Sequence, residues 1–235
     1  MPAPLSPGTD PILAIFDHDG ILVDSLEWHK LAWLELGRTQ GLHITPEFVH
    51  ETFGMTNPMI FRKLLGDGIS LEDARRFGDL KEACYRDLAR GKISLMEGVE
   101  ELLAGLDRAN VRLAVGSSAP LPNVELTVAD CGLKGRFNAI VALEDIVRGK
   151  PDPQVFLLAA ERCGVDPSRA VVFEDAPVGI RAAKAAGMRA VGVTTSHLRE
   201  TLLTAGADQV VDSLLGFDVA HLVKLLTGNS PGGEN

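Results

Sequence analysis

Ile12-Leu13-Ala14-Ile15-Phe16-Asp17-His18-Asp19-Gly20 decides how the rest of the chain is read. Five apolar residues run without a polar interruption, the mark of a strand buried on both faces of a parallel sheet. Two carboxylates then follow at once, and charges at the end of a buried strand are costly unless they have a use. Asp17 and Asp19 stand two apart, so in extended backbone their side chains share a direction and can serve one substrate atom. His18 faces the other way and is expected to be structural. Gly20 permits a tight turn.

The same apolar pattern recurs at Val111–Val115, Ala139–Val141, Ala170–Phe173, Ala190–Val193 and Gln209–Val211. From Glu97 onward helical patterns separate these runs, at Val99–Arg108, Asn123–Cys131, Pro153–Cys163 and Pro177–Ala186, with Gly132, Gly164 and Gly187 closing three of them. Strand alternating with helix means an α/β fold, a doubly wound parallel sheet of Rossmann-like type. Between Phe16 and Glu97 no strand signal appears; Ser25–Gln40, Asn57–Leu65 and Leu71–Ala89 carry helical spacing. Residues 1–24 and 97–235 are therefore predicted to form the α/β core, and residues 25–96 an inserted helical cap. Met1–Pro11 reads as a loose arm and Thr227–Asn235 as a frayed tail.

Composition bounds the partners. Of 235 residues, 46% are hydrophobic and 23% charged, as in a folded soluble domain, and the formal charge of −9 argues against nucleic acid or an anionic membrane as partner. The apolar runs fall far short of the roughly 18 residues that cross a bilayer, and a cytoplasmic monomer is expected. Cys84, Cys131 and Cys163 lie far apart, so neither a disulfide framework nor a zinc site is indicated. On so acidic a chain an anionic substrate needs its own local positive charge.

Ligands of a doubly wound sheet bind beyond the carboxyl ends of its strands. There the sequence places Asp17 and Asp19, Ser117 and Ser118, Glu174 and Asp175, with Lys150 in a loop before Pro151. Four carboxylates, a hydroxyl and an ammonium would converge on one rim. Mg2+ relieves such repulsion, since it takes oxygen ligands and keeps sites for water and a phosphate. With Mg2+ and Lys150 neutralising charge, one carboxylate can attack phosphorus while the other handles the leaving-group proton.

The arrangement resembles the haloacid dehalogenase superfamily. The four motifs of that family match Asp17-His18-Asp19-Gly20, Ser117, Lys150 in Gly149-Lys150-Pro151-Asp152-Pro153, and Glu174-Asp175, in that order. The resemblance implies Asp17 as nucleophile and Asp19 as general acid and base. It implies Asp17, Asp175 and the Asp19 carbonyl on Mg2+ with Glu174 beside it, and Ser117 and Lys150 on the phosphate. Ser118 adjoins Ser117 and joins the candidate phosphate site. The insertion is similar to that of the cap-bearing subfamily that includes β-phosphoglucomutase and phosphoglycolate phosphatase. His29, Trp33 and Lys81 stand where that subfamily's cap helices meet substrate, although His29 and Trp33 suit cap packing equally and helical lysines are usually solvated. The resemblance thus implies a phosphatase of a small phosphorylated metabolite, a sugar phosphate above all, with a sugar phosphomutase as the alternative. The mutase group grips the distant phosphate with a cap arginine, and Phe53-Gly54-Met55-Thr56-Asn57-Pro58 holds none; Arg62 lies farther on. A dehalogenase has no need of Asp19, and a phospho-accepting receiver module would lack the insertion.

Overall fold

The computed structural model describes residues 10–52 and 57–228. In chain order, β1 (Leu13–Phe16) is followed by α1 (Leu26–Gln40), α2 (Pro46–Thr52), α3 (Asn57–Leu65) and α4 (Leu71–Ala89), then by α5 (Val99–Arg108), β2 (Arg112–Gly116), α6 (Leu121–Asp130) and β3 (Ala139–Val141). The chain continues with α7 (Gln154–Cys163), β4 (Ala170–Glu174), α8 (Pro177–Ala185), β5 (Arg189–Val193), α9 (Arg199–Thr204), β6 (Gln209–Val211) and α10 (Val219–Thr227).

Six parallel strands form one sheet in the order β3-β2-β1-β4-β5-β6. The alternating pleat sends Ala14 and Phe16 into one apolar cluster and Leu13 and Ile15 into another. The first cluster takes residues from α5, α6 and α10, the second from α7, α8 and α9, so helices cover both faces. This is the doubly wound α/β fold expected, and it explains why the strands read as unbroken apolar runs.

The inserted helices α1 to α4 leave and return at one place. Met96 N donates to Leu22 O at 2.9 Å and Asp24 N to Ser94 O at 3.3 Å, pairing the outgoing segment with the incoming one. Trp33, Leu36, Val49, Ile60, Phe61 and Ala74 form an apolar cluster of their own, while Ala32, Tyr85 and Ala89 join the cluster beneath the sheet.

Three helices escape the sequence reading: α2 and α9, whose seven and six residues carry too little periodicity to stand out, and α10, which runs into the stretch read as tail. Thr227, taken above as the start of a frayed tail, ends α10, and Gly228 caps it with φ 73°. Arg169 donates to the carbonyls of Asp10 and Pro11 and ties down the end of the predicted arm. The rest of the arm and tail, and residues 53–56 of the arginine-free stretch, lie outside the described residues.

Candidate active site

The strand order reverses between β1 and β4, and a sheet opens a crevice where that happens. Phe16 pairs with Phe173, and Asp17 N donates to Phe173 O at 3.0 Å, so the ladder runs one residue past β1 and delivers Asp17 beside Glu174. Lys150 Nζ lies 2.9 Å from Asp17 Oδ1 and 2.6 Å from Glu174 Oε1. Asp17, Glu174 and Asp175 offer oxygens that all lie within 4.8 Å of one another. Asp17 Oδ1 is buried and, for all its closeness to Lys150, makes no well-directed hydrogen bond among the described residues.

One ammonium among three carboxylates is too little positive charge. Burial, and then Asp17, push Glu174 above its ordinary value against the pull of Lys150. Burial, with Glu174 and Asp17 beside it, pushes Asp175 well above the usual carboxylate range. Lys150 is raised too: burial would lower it, but Asp17 and Glu174 outweigh that and hold its proton. A donor set of three oxygens, with one buried oxygen unsatisfied, suits a hard divalent cation.

Two glycines make room for these carboxylates. A Cβ on Gly20, whose φ is +75°, would overlap the Asp175 carboxylate, and one on Gly179 would overlap that of Glu174. What Gly179 accommodates, in the first turn of α8, is a buried carboxylate.

Asp19 does not join the three. Ser25 Oγ donates to its Oδ1 at 2.5 Å, and His29 Nε2 lies 3.2 Å from the same oxygen. His18 is corrected here as well: it is fully buried as a structural residue would be, yet its Nδ1 lies 3.1 Å from Asp19 Oδ1. The reason is local backbone. Residues 18–20 turn rather than extend, with Leu22 N and Gly20 N bonded across the turn to His18 O and Val23 O. Strand alternation therefore stops at Asp17. Burial would raise Asp19, but the His18 and His29 imidazoles outweigh it and hold the carboxyl well below its usual range.

Lys81 extends this group. It is 3% exposed, not solvated, with Nζ 2.6 Å from His29 Nδ1 and 2.9 Å from Glu82 Oε1. An ammonium only donates, so His29 Nδ1 accepts and Nε2–H faces Asp19. Tyr85 stacks on His29 with centroids 4.0 Å apart. Trp33 packs at 5.2 Å from Phe61 in the cluster of the inserted helices, with Lys81 Nζ 5.5 Å from its ring centroid.

Ser117 follows β2, 2% exposed, and its Oγ accepts from Ala119 N at 3.1 Å; Ser118 beside it is half-buried. The loop after β5 was missed. Ser196 Oγ donates to Asp175 Oδ2, Thr195 Oγ1 to Gly20 O at 2.7 Å, and His197 Nδ1 to Asp175 O at 3.0 Å. Thr194-Thr195-Ser196-His197 follows a buried strand as the other site loops do, and that placement was the available signal.

Residues 14–193 match the family model described as haloacid dehalogenase-like hydrolase. The validoxylamine A 7'-phosphate phosphatase of Streptomyces hygroscopicus subsp. limoneus is 32% identical over 213 residues, 89% of this chain and 97% of that protein. The fructose-1-phosphate phosphatase of Escherichia coli is 32% identical over 179 residues, 76% of this chain and 94% of that protein. Among solved structures, a β-phosphoglucomutase from Clostridium difficile superposes with a TM-score of 0.80 at 25% identity, covering 93% of this chain and 98% of that one.

Proposed function

Because the chain belongs to the haloacid dehalogenase-like hydrolase family, we propose that it is a Mg2+-dependent phosphatase of a small phosphorylated metabolite, a sugar phosphate above all, working through an aspartyl-phosphate. The observation that carries this reading is the separation of two aspartates into two environments. Asp17 sits among Lys150, Glu174 and Asp175, where a phosphoryl group would meet Lys150 and the cation these carboxylates would hold; Asp19 lies among Ser25, His18 and His29. Environments that pull two carboxylates apart separate nucleophile from acid and base.

Asp17 attacks phosphorus in line while Asp19 protonates the departing alkoxide, then takes a proton from the water that cleaves the aspartyl-phosphate. Asp19 rests ionised, the form that deprotonates water. Its acid role follows from binding, since an approaching phosphoryl dianion and the loss of water both raise a carboxyl pKa. Mg2+, held by Asp17, Asp175 and the Asp19 carbonyl with Glu174 beside it, would supply positive charge to the phosphate oxygens. Ser117, Ser118 and Lys150 bind the phosphate. His29 and Lys81 face the substrate side of Asp19, and Trp33 backs Lys81. Residues 25–96 act as the cap over a core of residues 1–24 and 97–235, excluding bulk water when seated.

The phosphatase names of relatives spanning most of this chain support hydrolysis. Likeness to a β-phosphoglucomutase keeps phosphoryl return to a sugar hydroxyl as the second reading. The protein is read as a cytoplasmic monomer without nucleic-acid or membrane partner, and no described helix is long and apolar enough to cross a membrane.

A panel of sugar phosphates assayed for phosphate release with Mg2+ tests the reading, with β-glucose 1-phosphate conversion under bisphosphate priming run beside it. Release is expected, with Asp17→Asn reduced to background and Asp19→Asn slowed about 10²–10⁴-fold. Turnover retained by Asp17→Asn would remove the nucleophile; conversion without release would favour the mutase.

A further inference from the structure

Helix α6 carries two polar side chains, Asn123 and Thr127, that are both wholly buried. Four residues apart, they share one face of the helix. Each begins a chain of contacts that ends on the Asp19 carboxylate. Thr127 Oγ1 lies 2.7 Å from His18 Nε2, and His18 Nδ1 lies 3.1 Å from Asp19 Oδ1. Asn123 Nδ2 donates to Glu82 Oε2 at 2.8 Å, Lys81 Nζ donates to Glu82 Oε1 at 2.9 Å and lies 2.6 Å from His29 Nδ1, and His29 Nε2 lies 3.2 Å from Asp19 Oδ1.

The chemistry at each station is specific. His18 Nδ1 is buried and, among the described residues, makes no well-directed hydrogen bond, so it meets Asp19 Oδ1 as a close electrostatic contact. A hydroxyl both donates and accepts, so Thr127 satisfies Nε2 whichever way that nitrogen stands. Asn123 also serves both ways: its Oδ1 accepts from Arg86 NH1 at 2.9 Å while its Nδ2 donates to Glu82. Arg86 and Glu82 lie one turn apart on α4, so one neutral amide is clamped between a cation and an anion of the inserted helices. An aspartate in its place would repel Glu82, and an apolar residue would leave both charges without this partner.

We propose that Thr127 and Asn123 are positioning residues for Asp19, Thr127 through His18 from within the core and Asn123 through the side chains of α4 and α1. Both arms spring from one helix, α6, and meet on the same carboxylate oxygen of Asp19. The inference rests on the proton-transfer role given to Asp19 above and adds to it the residues that aim the carboxylate.

A pair of substrates tests it. p-Nitrophenyl phosphate has a weakly basic leaving group that departs without a proton, whereas a sugar phosphate of the panel releases an alkoxide that needs one. The parameter kcat/KM covers the steps up to that departure. Thr127→Val keeps the shape and removes the hydroxyl, Thr127→Ser keeps the hydroxyl, and Asn123→Ala releases the clamp; folding of each is checked by circular dichroism. For Thr127→Val and Asn123→Ala, kcat/KM on the sugar phosphate is expected to fall about tenfold more than on p-nitrophenyl phosphate, and in Thr127→Ser that differential loss is expected to disappear. Equal losses on both substrates, or none, would overturn the proposal.

A readout independent of turnover is the carbon signal of the Asp19 carboxyl in the magnetic resonance spectrum. It should move in Thr127→Val and in Asn123→Ala and return in Thr127→Ser; a signal unmoved in all three would overturn the positioning role. If the unaltered protein releases phosphate from neither substrate, the phosphatase reading fails, and this signal still decides whether α6 aims Asp19.

Discussion

Gly179 sets two effects of different size against each other. It lies inside α8, where alanine in place of glycine ordinarily stabilises by about 1 kcal/mol through lost backbone freedom. Here the new Cβ would overlap the Glu174 carboxylate, which is fully buried and paired with Lys150. Breaking a buried pair costs about 3–5 kcal/mol, so the second effect wins. Gly179→Ala is expected to lower Tm and to reduce phosphate release with it, measured by thermal unfolding and by the assay above. A raised Tm would show that Glu174 has room the structure does not give it. Glu174 and Asp175 were legible because a charge at the end of a buried strand stands out against its apolar neighbours, whereas Lys150, in the loop beyond β3, was picked out by the family motif. Lys81 and His18 were harder. Whether a helical lysine is solvated depends on what packs opposite, and Glu82 and His29 were not visible as its partners; His18 followed strand alternation only on paper, since the chain turns right after Asp17.

At the scale of elements, long periodic segments were legible and short joints were not. The helices α1 and α3 to α8 and all six strands were read within a few residues, since their apolar spacing marks the side each turns to the core. Asp208, just before β6, shows what pattern reading passes over. Its carboxylate accepts from Lys184 of α8 at 2.6 Å, from Arg189 of β5 at 2.9 Å and from Ala190 N at 2.8 Å, so one side chain joins three elements at the edge of the sheet. Burial would raise it, but the bonds to Lys184, Ala190 and Arg189 hold its carboxyl below the usual range. A folded pKa below the unfolded one, about 3.9, gives stability that is fully present above that value and is lost as pH falls through the folded pKa. Asp208→Asn is therefore expected to be less stable than the unaltered protein at pH 7, by roughly 1–2 kcal/mol after allowing for partial exposure of the ion pairs. The gap should narrow between pH 4 and pH 2. Urea unfolding along that series measures it, and a gap independent of pH would assign the stabilisation to shape instead of charge.

For the whole molecule, the net charge of −9 first argued against polyanionic partners. The fold places a part of that charge at one spot, since three carboxylates meet at the β1/β4 crevice, with Lys150 the one cation paired to them among the described residues. Folding brings these groups together, so a cation bound there stabilises the folded state over the unfolded chain by RT ln(1 + [L]/Kd). At about ten times Kd this is roughly 1.4 kcal/mol, which for a chain of this length raises Tm by about 3–6 °C. Titrating Mg2+ into the protein and following thermal unfolding should show that rise, and chelation should reverse it. Asp175→Asn removes one of the three carboxylates and relieves repulsion at once, so its Tm without Mg2+ should exceed that of the unaltered protein while its response to Mg2+ shrinks. That crossed pattern separates a cation site from general ionic strength, which would move both proteins alike. A Mg2+ response of equal size in both would place the cation elsewhere than at the crevice.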